Sequence, residues 1–190
     1  MDAFVISFVF VLVAEMGDKT QLVALAFAAR YRARTVLAGV LWATLVVHLF
    51  SVALGEAVGA ALPTFWINLL AGLAFVGFGL WTLRGDALDD GETSRIRRFG
   101  PLLTVAATFF LAELGDKTML ATVTIAAQQS SFVPVWLGST LGMVAADGIA
   151  IAAGAALGKR LPERAIAYLS AALFIISGVA TVVAALLGWI

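Results

Sequence analysis

Cysteine is absent from this 190-residue chain, and histidine occurs once, as His48. Without thiols there are no disulfides, thiolate metal sites, iron–sulfur clusters or cysteine nucleophiles. Charge is scarce as well. Asp, Glu, Lys and Arg make up 13% of the sequence against 62% hydrophobic residues, where a soluble domain carries about 25% charged residues. With a mean hydropathy of +1.03, a water-soluble globule is excluded. Twelve basic residues balance twelve acidic ones, so the basic footprint that binds nucleic acid is also missing.

What the chain has instead is long apolar runs. A membrane-crossing helix needs roughly 20 such residues, and six segments supply them: Ala3–Ala28, Val36–Leu62, Phe65–Leu83, Pro101–Ala127, Val133–Leu157 and Ala165–Leu187. The runs are continuous rather than alternating, which argues for helices and against a membrane β-barrel. The first is expected to be retained rather than cleaved, because no basic residue precedes it and Glu15 and Asp18 interrupt it. The polar stretch 84–100 reads as a solvated linker between a first unit, 1–83, and a second, 101–190. Ten of the twelve basic residues fall in connections after the first, third and fifth segments: Arg30, Arg32 and Arg34; Arg84, Arg95, Arg97 and Arg98; Lys159, Arg160 and Arg164. By the positive-inside rule those loops face the cytoplasm and both termini face outward.

The two units are copies. A shift of 98 residues lays Ala14–Thr20 on Ala112–Thr118, with nine of 16 positions identical from Ala14 to Ala29. After a one-residue slip the offset becomes 99, pairing Gly39 with Gly138, Gly55 with Gly154, Pro63 with Pro162, Phe75 with Phe174 and Gly79 with Gly178. Three helices per copy is an odd number, so the second copy enters the membrane from the opposite side. The expected fold is an all-α integral membrane protein of six transmembrane helices in two inverted-topology repeats, the architecture of secondary transporters with a midplane substrate site.

The copies place charge where it is most costly. Glu15 and Asp18 fall near the middle of the first segment, and Glu113 and Asp116 near the middle of the fourth. A carboxylate there costs about 2.5–3.5 kcal/mol on insertion scales, and intramembrane acids mark ion pathways. Read as continuous helix, the motif sets Glu15, Asp18 and Lys19 on one stripe, and Glu113, Asp116 and Lys117 likewise. Lys19 and Lys117 would then balance the acid four residues back or position individual acids. Asp147 in the fifth segment adds a fifth carboxylate, leaving three negative charges that a divalent cation and a proton, or three protons, would neutralise. Gly17 and Gly115 stand between the acids of each copy, for close helix packing or for a local break. Thr20, Gln21, Thr118 and Asp147 are further candidate ligands. Oxygen donors without thiolate favour Mg²⁺, Ca²⁺ or Mn²⁺. His48 aligns with Asp147 across the copies; it is either a buried histidine satisfied by a hydrogen bond or, like Asp147, a proton acceptor.

Two copies of E-x-G-D-K/R-T/S, Glu15–Thr20 and Glu113–Thr118, resemble the cation/proton exchanger family that includes bacterial manganese exporters and Golgi manganese/calcium transporters. The resemblance spans essentially the whole chain. It implies a six-helix antiporter, not an enzyme and without a resident cofactor, whose motif acids bind Mn²⁺ or Ca²⁺. The bacterial manganese exporters are the nearer match for a chain this short, which implies an inner-membrane location. Its partners would be a divalent ion, protons and lipid. The reading is Mn²⁺ export in exchange for protons, with a Ca²⁺/proton exchanger or an exporter of a cationic amino acid as alternatives.

Overall fold

A computed structural model describes residues 2–84, 100–157 and 163–189. The expected linker, apart from its end residues, and the basic residues Lys159 and Arg160 lie outside the described residues. Among those described the chain is all helix: α1 (Ala3–Glu15), α2 (Lys19–Ala28), α3 (Ala33–Ala61), α4 (Thr64–Arg84), α5 (Pro101–Glu113), α6 (Lys117–Gln129), α7 (Phe132–Leu157) and α8 (Glu163–Leu186). Three stretches are long and apolar enough to cross a membrane alone, Ala33–Ala61, Thr64–Leu83 and Phe132–Ala155. Shorter apolar helices cover Ala3–Glu15, Pro101–Glu113 and Ala171–Leu186.

The distribution of side chains inverts that of a soluble protein. Trp42, Phe50, Leu54 and Ile176 stand more than half exposed, whereas Glu15, Glu113, Asp147 and His48 are fully buried. Apolar side chains facing outward around a polar interior are what lipid selects, and this is a multi-pass membrane protein.

The first and fourth segments are not the continuous helices expected. Each breaks at its motif, so that α1 and α2, and α5 and α6, are pairs of half-helices. The glycine between the acids is the cause. Gly17 and Gly115 take φ of 79° and 77°, the left-handed region in which a Cβ collides with the backbone. At Gly115 an added Cβ would meet nothing within 4 Å, so conformation rather than close packing requires glycine there.

Helix contacts repeat across the two copies. α3 packs on α5 as α7 packs on α1, and α3 on α6 as α7 on α2. A Cβ on Gly39 would strike Val105 at 2.7 Å, and one on Gly138 would strike Phe4 O at 2.5 Å and Ser7 Oγ; Val105 and Ser7 are themselves 98 residues apart. Likewise Gly55 abuts Val123, and Gly154 abuts Leu25, its counterpart. Thr44 Oγ1 lies 3.3 Å from Met143 Sδ, a contact between two positions the 99-residue offset equates. Such reciprocity, with α4 and α8 packed against each other through Gly72, Gly79 and Gly178, is consistent with two inverted copies about a two-fold axis.

Candidate cation site at the helix breaks

Both breaks come to the same place in the interior. Thr118 Oγ1, from the second copy, donates to Glu15 Oε2 at 3.1 Å. Thr20 Oγ1 donates to the other oxygen, Glu15 Oε1, and lies 3.3 Å from Asp18 Oδ2. The two threonines of the repeated motif thus converge on one carboxylate. Lys117 Nζ forms an ion pair with Asp18 Oδ1, with side chains 4% and 1% exposed. That partner differs from the acid four residues back expected of a continuous helix: the break turns Lys117 away from Glu113 and toward the other copy. The side chain of Lys19 lies outside the described residues.

The half-helix ends face this cluster. Asp18 and Asp116 are the N-cap residues of α2 and α6, and Asp116 Oδ2 accepts from Thr118 N at 3.4 Å. Glu15 and Glu113 end α1 and α5, where unpaired carbonyls give the negative end of the helix dipole. Interrupted helices in transporters use such ends to hold cations.

Glu113 is fully buried, and neither of its oxygens has a hydrogen-bond partner. It stands within electrostatic reach of Glu15, Asp116, Asp18 and Asp147. Asp147, on α7, is also buried with both oxygens unpartnered, and it acts electrostatically on Glu15. Five acids therefore share one neighbourhood. Among the described residues, however, no three His, Asp or Glu side chains converge tightly enough to hold one metal ion. In this conformation the ammonium of Lys117 sits beside Asp18.

The other predicted residues divide. Gln21 acts as a clamp: its Oε1 accepts from Gly17 N at 2.8 Å and its Nε2 donates to Ala146 O at 3.1 Å, which ties the first break to α7 beside Asp147. At the second break Met119, the counterpart of Gln21, takes the first of these contacts, with Gly115 N 3.2 Å from its sulfur. Sequence reading missed Met119, although the 98-residue offset identifies it. His48 is fully buried with neither ring nitrogen hydrogen-bonded, so the expectation of a histidine satisfied by a hydrogen bond does not hold.

The profile of the divalent cation/proton antiporter GDT1 family matches this chain twice, over residues 3–90 and again over 101–189. The chain belongs to the GDT1 family. Its two matches coincide with the two copies, one helix break in each. Among its relatives, a putative manganese exporter of Vibrio cholerae is 34% identical over 183 residues, covering 95% of this chain and 90% of the other. The chloroplastic protein PAM71 of Arabidopsis thaliana is 31% identical over 210 residues, which cover 94% of this chain and 56% of that one. The GDT1-like protein sll0615 of Synechocystis is 29% identical over 194 residues, 92% and 93% of the two chains. No solved structure matches. GDT1 membership makes the protein a divalent-cation/proton antiporter, a transporter and not an enzyme, and sets aside export of a cationic amino acid.

Proposed function

We propose that the protein carries Mn²⁺ out of the cytoplasm in exchange for protons, with Glu15, Asp18, Glu113 and Asp116 as the shared ligands of ion and proton. The observation that carries this reading is the meeting of the two breaks: the carboxylate of one motif bonds the threonine of the other, and the lysine of one motif pairs with the aspartate of the other. A site built from both copies changes shape when one copy rocks against the other, which is what alternating access requires.

Acids crowded into one low-dielectric pocket cannot all be ionised without a counter-charge, so they titrate as a set. A divalent ion that draws them together supplies that charge and expels their protons. Lys117 yields Asp18 as the ion enters and returns when it leaves, limiting repulsion in the empty nest. Lys19 serves the equivalent end. Thr20 and Thr118 keep lone pairs free to join the ligand set, Asp147 serves as additional ligand or proton acceptor, and His48 as a proton acceptor. Gln21 supports the break.

The chain crosses the membrane six times: α1 with α2 and α5 with α6 complete one crossing each, and α3, α4, α7 and α8 one apiece. Both termini lie outside, and the arginine-bearing connections face the cytoplasm of a bacterial inner membrane. The similarity to a putative manganese exporter of Vibrio cholerae supports the Mn²⁺ reading.

Glu15→Gln and Asp116→Asn, each inserted normally, are expected to abolish manganese tolerance in cells and proton-driven Mn²⁺ flux in vesicles. Unchanged flux in either variant would overturn the ligand assignment. Ca²⁺ added to the same vesicles is expected to compete weakly; dominant Ca²⁺ flux would make this a Ca²⁺/proton exchanger of the same build.

A further inference from the structure

A half-open cavity of about 590 Å³ lies outside the acid cluster, bounded by α1, α4, α6 and α8. Each of these helices contacts the next in a closed ring. The lining is mostly apolar, with a group of polar side chains gathered toward one end. Asn68 near the start of α4, Gln128 and Gln129 at the end of α6, and Thr181 on α8 form the polar end, beside the turns at Pro63 and Ser130. Gln128 Nε2 donates to Asn68 Oδ1 at 3.2 Å. Ile6, Val9, Phe10, Phe75, Ile125 and Leu173 supply the apolar lining, and Ser177 adds a hydroxyl one turn below Thr181.

Phe10 there joins an aromatic cluster. Its ring lies 5.0 Å from that of Phe75 and 6.0 Å from that of Phe174, and Phe75 and Phe174, repeat counterparts on α4 and α8, are 6.0 Å apart. Phe174 is fully buried and Phe75 is 3% exposed. Below this layer the same helices reach the acid cluster. Phe10 and Ala14 lead to Glu15 on α1, and Ile125 and Ala121 lead to Thr118 on α6. At 1.5 Å rise per residue, Phe10 stands about 7.5 Å from Glu15 along the helix. The layer belongs to one end of the molecule only, because the counterpart of Phe10 in the second copy is Thr108.

We infer that the cavity is the vestibule through which the ion passes on the Ser130 side, holding a hydrated divalent cation against neutral amide and hydroxyl oxygens, and that Phe10, Phe75 and Phe174 seal it from the acids. This rests on the transport reading above. The space suffices: an ion with about six waters, each of about 30 Å³, needs about 180 Å³. Neutral carbonyl and hydroxyl groups bond to the water shell without stripping it, so the ion is held loosely and leaves readily. A dry aromatic layer is a barrier to a charged, hydrated species, as hydrophobic constrictions are in channels. Passage then requires α1 to move Phe10 off the Phe75–Phe174 pair, which couples the seal to the break at Gly17 that follows the same helix.

The absence of cysteine makes the test clean, because an introduced cysteine is the sole thiol. Gln129→Cys places it in the vestibule, and Ala121→Cys places it between seal and acids. With Phe10 in place, a membrane-impermeant cationic thiol reagent is expected to label Gln129→Cys at least tenfold faster than Ala121→Cys. Phe10→Thr, which copies the residue of the other half, is expected to remove most of that difference by exposing Ala121→Cys. Equal labelling of the two sites with Phe10 present would overturn the seal, even if Phe10→Thr fails to fold, and so would an unchanged tenfold protection in folded Phe10→Thr. Labelling needs no transport, so loss of Mn²⁺ flux alone would strike the transport reading and leave the seal standing.

Discussion

The Lys117–Asp18 pair concentrates the energetics of the site. Both groups are buried, and removing one partner of a buried ion pair costs about 3–5 kcal/mol because the other charge is left uncompensated. Lys117→Gln is therefore expected to lower the unfolding temperature of the metal-free, detergent-solubilised protein, and added Mn²⁺ to raise it more in the variant than in the natural chain. Equal unfolding temperatures without metal would show that Lys117 does not balance Asp18. At this scale the sequence identifies the participants but not their partners. Intramembrane charge is so costly that Glu15, Asp18, Glu113, Asp116, Asp147 and Lys117 stand out by their position within apolar runs. The pairing across copies is hidden, since an angular count around an unbroken helix directs Lys117 to Glu113. Gln21 shows the same limit: its oxygen looks like a ligand until the break at Gly17 supplies a backbone N–H for it to accept.

Two half-helices in place of one helix are the feature of the elements on which the site depends. Hydropathy averaged over a membrane-length window passes smoothly across a six-residue motif, so the segments Ala3–Ala28 and Pro101–Ala127 look continuous. The glycines carry the only local signal, and it admits either close packing or a break. Backbone conformation decides: φ of 77° at Gly115 costs a residue with a Cβ about 1–2 kcal/mol. Gly115→Ala is expected to destabilise the protein by that amount in thermal unfolding and to impair flux. Gly148→Ala, inside α7 where an added Cβ meets only Leu37 Cδ2 at 3.8 Å, is expected to be neutral or stabilising by about 0.5–1 kcal/mol. Equal effects at the two positions would remove the conformational role of Gly115.

Over the whole molecule the 98- and 99-residue offsets make the two-copy architecture legible in the sequence, and contacts such as Gly39 with Val105 and Gly138 with Ser7 reproduce it pair by pair. The same offsets mark where the copies differ. Asp147 answers to His48, Met119 to Gln21 and Thr108 to Phe10, so a near-symmetric scaffold carries unlike groups on its two sides. A transporter has to expose its site to two compartments that differ in proton and ion content, and unlike groups about a shared acid cluster suit that demand. The most direct measurement is anomalous scattering at the manganese edge from crystals of the full chain soaked in Mn²⁺. A single peak between the two breaks is expected, ligated by carboxylates from both motifs and accompanied by movement of Lys117 off Asp18. A peak bound by one motif alone, or ordered Mn²⁺ only at the surface with the Lys117–Asp18 pair intact, would contradict a site shared between the copies.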